Sequence, residues 1–140
     1  MAEQNPVYLF NTFEKFANGQ RVDFVMSELA KTLSLEDRVN IALYYGQQKV
    51  ITQPADEPHL QEQGQVIFKQ NCQVCHGSNG EGKEDMPRLA GQPAQYVIQT
   101  LKNFRNKDPR RAASVMLAMT ENMTDEEIHA VASYIQEIDF

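Results

Sequence analysis

The feature that most constrains this chain is Cys72-Gln73-Val74-Cys75-His76. It holds both cysteines of the sequence and one of its three histidines. Two cysteines are too few for a disulfide scaffold. A structural zinc site wants four ligands, and His59 and His129 are the only other imidazoles, so zinc is a thin reading. A thioredoxin-like C-x-x-C needs a βαβ setting, whereas the surroundings here are helical. C-x-x-C-H is the attachment signature of a c-type haem. Two thiols three residues apart on a helical turn reach the two vinyl groups of one porphyrin and form thioethers. The histidine beside the second cysteine then lies under the iron as its proximal ligand. The competing reading, an unmodified redox or structural pair, leaves His76 without a part.

Composition narrows the class. The 140 residues suit one ordinary domain, or one small domain with an appendage. Hydrophobic residues at 41% and charged residues at 23% give a soluble globular balance, not a disordered tail. No stretch approaches the ~18 consecutive apolar residues of a spanning helix. With 13 Lys+Arg against 19 Asp+Glu the formal charge is −6, and no basic stripe is present. Nucleic acid is set aside as a partner, because phosphate contacts supply most of that affinity. The start, Met1 to Pro6, has neither a basic nor an apolar signal region.

Around the motif the pattern is helical. Val66, Ile67 and Phe68 form one apolar face leading into Cys72. Gly77 to Gly82 reads as a turn-rich loop and Met86 to Gln92 as irregular. A helix is expected from Pro93, with Tyr96, Val97, Leu101 and Phe104 at spacings of three or four, broken at Asp108-Pro109. Thr124-Asp125-Glu126-Glu127 is a capping box that opens the last helix. Its buried stripe is Ile128, Val131, Tyr134, Ile135 and Ile138. No period-two strand is evident, so the expected fold is all-α. Residues 63–140 are few for a self-sufficient core, and a covalent porphyrin supplies both staple and apolar filling.

At this point the chain resembles a class I cytochrome c, more closely the diheme two-domain type called c-four. The match rests on Cys72-Gln73-Val74-Cys75-His76-Gly77, Pro87-Arg88-Leu89-Ala90-Gly91-Gln92-Pro93, Tyr96 to Phe104, Met116 and Met123 to Ile128. The resemblance implies single-electron transfer by one covalent low-spin haem with His and Met axial ligands. His76 would be the proximal ligand, with its ring fixed by the carbonyl of Pro87. The family places the ligand methionine eight residues before the residue capping the last helix, which is Met116. Met119, one turn on, is the fallback. Met86 is expected on the proximal side of the pocket, and Met123 as a staple on Ile128. His129 is expected on a solvated face and His59 on an exposed loop.

The first fifty residues echo the last fifty. Tyr8, Thr12, Phe16 and Asn18 recur 88 residues later as Tyr96, Thr100, Phe104 and Asn106. Met26, Ser34 and Tyr44 recur 90 residues later as Met116, Thr124 and Tyr134. This is an internal repeat whose first copy carries no C-x-x-C-H. The expected organisation is a vestigial haem-free half-domain over 1–52, a linker over 53–62 and a monohaem cytochrome domain over 63–140. Phe10, Phe13, Phe16, Val25, Met26, Leu29, Leu33, Ile41 and Tyr44 are candidates for its uncovered apolar side. That side either packs against the haem domain, binds another protein or a second copy, or presents Met26 to a haem in trans.

Three functions are therefore compared. The leading one is a monohaem carrier moving single electrons to or from a redox enzyme, with no bond chemistry of its own. Its acidic surface argues for a redox partner with a basic docking patch. The second is a dedicated haem subunit of a larger oxidoreductase, docked through residues 1–52. The third is a haem enzyme or sensor with an open sixth position, which requires both Met116 and Met119 off the iron. The family acquires haem outside the cytoplasm, so the resemblance implies a periplasmic protein whose signal peptide has been removed.

Overall fold

A computed structural model describes residues 1–111 and 114–140. Among them there are helices and turns but no strand, only an isolated bridge between Lys83 and Met86. The chain begins with α1 (Pro6–Ala17), α2 (Phe24–Thr32) and α3 (Leu35–Gln47). Each starts on a side chain that fills free amides: Asn5 accepts from Val7 and Tyr8, Asp23 from Val25 and Met26, and Ser34 from Asp37. A 3-10 turn at Pro58–Leu60 leads into α4 (Gln61–Ile67). The helix widens into a π turn over Phe68–Cys72 and closes as the short α5 (Gln73–His76). After a long loop come α6 (Ala94–Arg105), a 3-10 turn (Pro109–Arg111), α7 (Met116–Thr120) and α8 (Asp125–Glu137).

The repeat seen in the sequence is repeated in the backbone. The helix α1 and its counterpart α6, 88 residues on, are both twelve residues long; α3 and α8, 90 residues apart, are both thirteen. Both members of the second pair open on a complete capping box, Ser34 with Asp37 and Thr124 with Glu127. Two corresponding arginines even repeat a cation–π contact. Arg21 lies 4.7 Å from the Phe16 ring centre and Arg111 5.5 Å from that of Phe104.

Two apolar clusters result. The larger joins α4, the π turn, α6 and α8 through Ile67, Phe68, Val97, Ile98, Ile128, Val131 and Ile135. The π turn adds a residue to the helix, a distortion often found at functional sites. Gly64 is where α4 and α8 cross. A Cβ there would stand 2.1 Å from the Ala130 carbonyl oxygen, so only glycine permits this approach. The smaller cluster holds Phe13, Phe16 and Ala30, with Met26, Leu33 and Ile41 at its margin. Of the residues expected on the uncovered side of the first copy, Val25, Leu29 and Tyr44 are exposed, whereas Phe13 and Phe16 are buried. Phe24, which periodicity did not single out, is 93% exposed.

Three expectations change in detail. Helix α4 starts at Gln61, inside the stretch expected to be linker, because the Pro58 turn runs straight into it. Ile138 follows the last helix in extended backbone but still packs on the larger cluster. His129 faces Glu57, with Nδ1 2.9 Å from its carboxylate, and is only half-exposed. His59 is exposed in the 3-10 turn, as expected.

Candidate functional site

The helical run from α4 to α5 delivers Cys72, Cys75 and His76 in two turns. Both thiols are free, Cys75 exposed and Cys72 half-buried. Burial pushes the unmodified Cys72 thiol up to about 11. His76 is only 5% exposed, and its Nδ1 lies 2.8 Å from the Pro87 carbonyl oxygen. A carbonyl can only accept, so Nδ1 carries the proton and Nε2 keeps its lone pair. Burial lowers the affinity of the ring for a second proton, against the smaller opposite effect of the Pro87 bond. The ring is therefore neutral at pH 7, with one nitrogen fixed and the other available to a metal.

The loop that returns Pro87 to His76 is built on glycines. Gly82 sits at φ +79°, donates its N–H to the His76 carbonyl at 2.7 Å and packs on the Pro87–Arg88 peptide. A side chain there would collide with that peptide and demand a left-handed backbone as well. Leu89 and Ala90 both donate to the Gly80 carbonyl, at 2.7 and 3.1 Å, which closes the loop under Phe68. Met86, expected on the proximal side, lies exposed in this loop.

On α7, Met116 is half-buried and its carbonyl accepts from Thr120 Oγ1 at 2.8 Å. Met119 is 48% exposed, and Met123 packs on the larger cluster. The donor set of two unpaired thiols, a neutral imidazole with a free nitrogen and a thioether suits covalent haem. Two neighbours of the site play parts that sequence reasoning did not assign them, although Arg88 stands in the Pro87 to Pro93 match. Arg88 is 2% exposed, its guanidinium held by the carbonyls of Ala2, Glu3 and Ala90. Gln4, 5% exposed, binds the Arg88 backbone. The 88-residue offset of the repeat sets it against Gln92, a pairing that sequence reasoning did not draw on.

The cytochrome c family matches residues 61–139, more than half of the chain. The chain belongs to the cytochrome c family. Cytochrome c4 of Pseudomonas aeruginosa is 30% identical, over 97% of this chain and 73% of that protein. The solved structure of reduced recombinant cytochrome c4 from Pseudomonas stutzeri superposes with a TM-score of 0.88 at 28% identity, covering 99% of this chain and 83% of that one. A protein named as the thiosulfate dehydrogenase electron acceptor of Thiomonas intermedia is 31% identical over 91% of this chain and 64% of its own length. This cytochrome is thus a class I c-type cytochrome of the c4 type: a helical electron-transfer protein carrying covalent haem c. No helix among the described residues is long and apolar enough to cross a membrane.

Proposed function

We propose that this cytochrome carries one electron at a time on a single haem held by Cys72 and Cys75, with His76 and Met116 as axial ligands. The observation that supports this most directly is the His76 ring, buried and fixed through Nδ1 on Pro87. When bound, the haem supplies a one-electron iron couple. The chain's own residues hold it and set its surroundings. Cys72 and Cys75 would hold the macrocycle, Pro87 would keep the imidazole plane, and Met116 would offer the soft sulfur donor that favours the reduced state. Residues 1–52 are a haem-free copy of the later helices, joined through 53–62 to the haem domain of 63–140. The compartment is the periplasm, reached through an export signal that is later removed.

The formal charge of −6 favours redox partners that are basic at their docking face. A second reading, a haem subunit docked through residues 1–52 into a larger oxidoreductase or a homodimer, draws on the exposed Phe24, Val25, Leu35 and Tyr44. Pyridine haemochrome analysis with potentiometric titration tests the main reading. One haem per chain and a single one-electron wave are expected. Rapid carbon monoxide binding by the reduced protein would instead mean an open sixth position, and a catalytic or sensing haem.

A further inference from the structure

The hydrogen bond that orients His76 does not end at Pro87. The Pro87–Arg88 linkage is one planar amide with shared electrons. Its oxygen accepts from His76 Nδ1 at 2.8 Å, and its N–H donates to Gln4 Oε1 at 2.6 Å. Gln4 lies 84 residues before Arg88, in the copy without a haem motif. Its side chain is held at both ends, because Nε2 donates to the Arg88 carbonyl at 3.1 Å and Oε1 also accepts from Asn5 N–H at 3.1 Å. Arg88 in turn grips the segment that presents Gln4, through Nε to the Glu3 carbonyl at 3.2 Å and Nη2 to the Ala2 carbonyl at 2.7 Å. Gln92, the repeat counterpart of Gln4, donates to the same Arg88 carbonyl at 3.4 Å.

An acceptor on the N–H side of an amide draws charge toward the amide oxygen. Serial hydrogen bonds polarise one another by about 10–30% each, and more effectively where water is excluded. Gln4 and Arg88 are both buried, so the Gln4 carbonyl makes the Pro87 oxygen a stronger acceptor for His76 Nδ1–H. A stronger bond there gives the imidazole more anionic character and makes Nε2 a better donor. We infer that Gln4 is a positioning residue for the proximal histidine, through which the haem-free copy sets the reduction potential of the haem; this rests on the His76 ligation proposed above. Gln4 favours the ferric state, and its removal favours the ferrous one.

The test compares three holoprotein variants. Gln4→Met keeps the volume and removes the acceptor. Gln4→Asn keeps an amide but withdraws it by one methylene, and carries the same test if the first does not yield holoprotein. Asn11→Ala breaks another contact between the copies, to Asp85 at 3.0 Å, without touching the peptide. Both Gln4 variants are expected to shift the redox equilibrium toward the reduced state by about three- to tenfold. Loss of a group bonded directly to a metal ligand typically costs about 10–100-fold in metal affinity or activity, and Gln4 acts one bond further out. A tenfold shift is about 59 mV for one electron. The His76 Nδ1 proton of the ferrous protein should move upfield in the Gln4 variants, and Asn11→Ala should move neither. Unchanged potential and unchanged Nδ1 proton in the Gln4 variants, or an equal shift in Asn11→Ala, would overturn the inference. A wild type without histidine-ligated haem would instead overturn the reading it rests on.

Discussion

The two copies of the helical repeat show how one local code can serve two environments. Helices α3 and α8 have the same length and the same capping box, so their local stability rests on the same bonds. What differs is the neighbour. Helix α8 packs along α4, and Ile128, Ala130 and Val131 are at most 1% exposed. The residues 90 positions earlier are Arg38, Asn40 and Ile41. Arg38 points to Glu14 and donates to the Ala30 carbonyl at 2.7 Å, and Asn40 is exposed. Helix formation is thus encoded locally in both copies, while the deeper burial of α8 comes from packing on α4, which leads into the C-x-x-C-H motif. The lesson is that a helix pattern reports the element, and its partner decides the core.

The largest expected effect separates the buried core of the second copy from the exposed face of the first. Phe68 is fully buried with its ring 5.5 Å from that of Tyr134, so Phe68→Ala should cost about 3–5 kcal/mol in denaturant unfolding. Phe24 is 93% exposed, and Phe24→Ser should stay within about 0.5 kcal/mol. Equal costs would mean that the first copy is covered by something in solution.

A smaller effect asks whether the copies unfold together. Thr124→Ala and Ser34→Ala each remove a capping box bond and should each cost about 1 kcal/mol. If the contacts around Arg88 join the copies into one cooperative unit, both losses appear in a single haem-monitored transition. A cost visible for Thr124 alone would show the first copy melting independently.

The smallest effect is one of pH. Asp125 is bound by Lys102 at 3.0 Å and by Arg105 at 2.6 Å, and these hydrogen bonds hold its carboxyl below the usual 3.8. The folded state therefore binds that proton less readily than the unfolded chain. The stabilisation is present above pH 3.8 and fades as pH falls through the depressed folded value. Asp125→Asn should weaken the protein at pH 7, and the difference should vanish in strong acid. The first copy has Leu35 at the matching position and so lacks this carboxylate; the acid of its capping box, Asp37, is held low by Ser34 instead. Unfolding curves for Asp125→Asn across pH 2–7 check the sign, and a difference that grew toward acid would contradict it.

Much of this was legible along the chain. The capping boxes, the three-and-four spacing of Tyr96 to Phe104 and the C-x-x-C-H spacing are local signals, and the structure forms the helices they predict. The burial of Arg88 and Gln4 was not legible, because polar residues are read as surface and their partners lie 84 to 86 residues away. Arg88 is buried because three carbonyls replace its water, and no periodicity announces that. The π turn at Phe68 and the crossing at Gly64 were missed for the same reason: each is set by what α4 meets, not by its own sequence.

The central claim is that one haem, ligated by His76 and Met116, sits in the second copy alone. The weak red-edge charge-transfer band of the ferric protein reports methionine sulfur on iron and tests this most directly. The account predicts one haem per chain, with the band present in the wild type, lost in Met116→Ala and kept in both Met119→Ala and Met26→Ala. A band that survives Met116→Ala, or is lost with Met26, would contradict it.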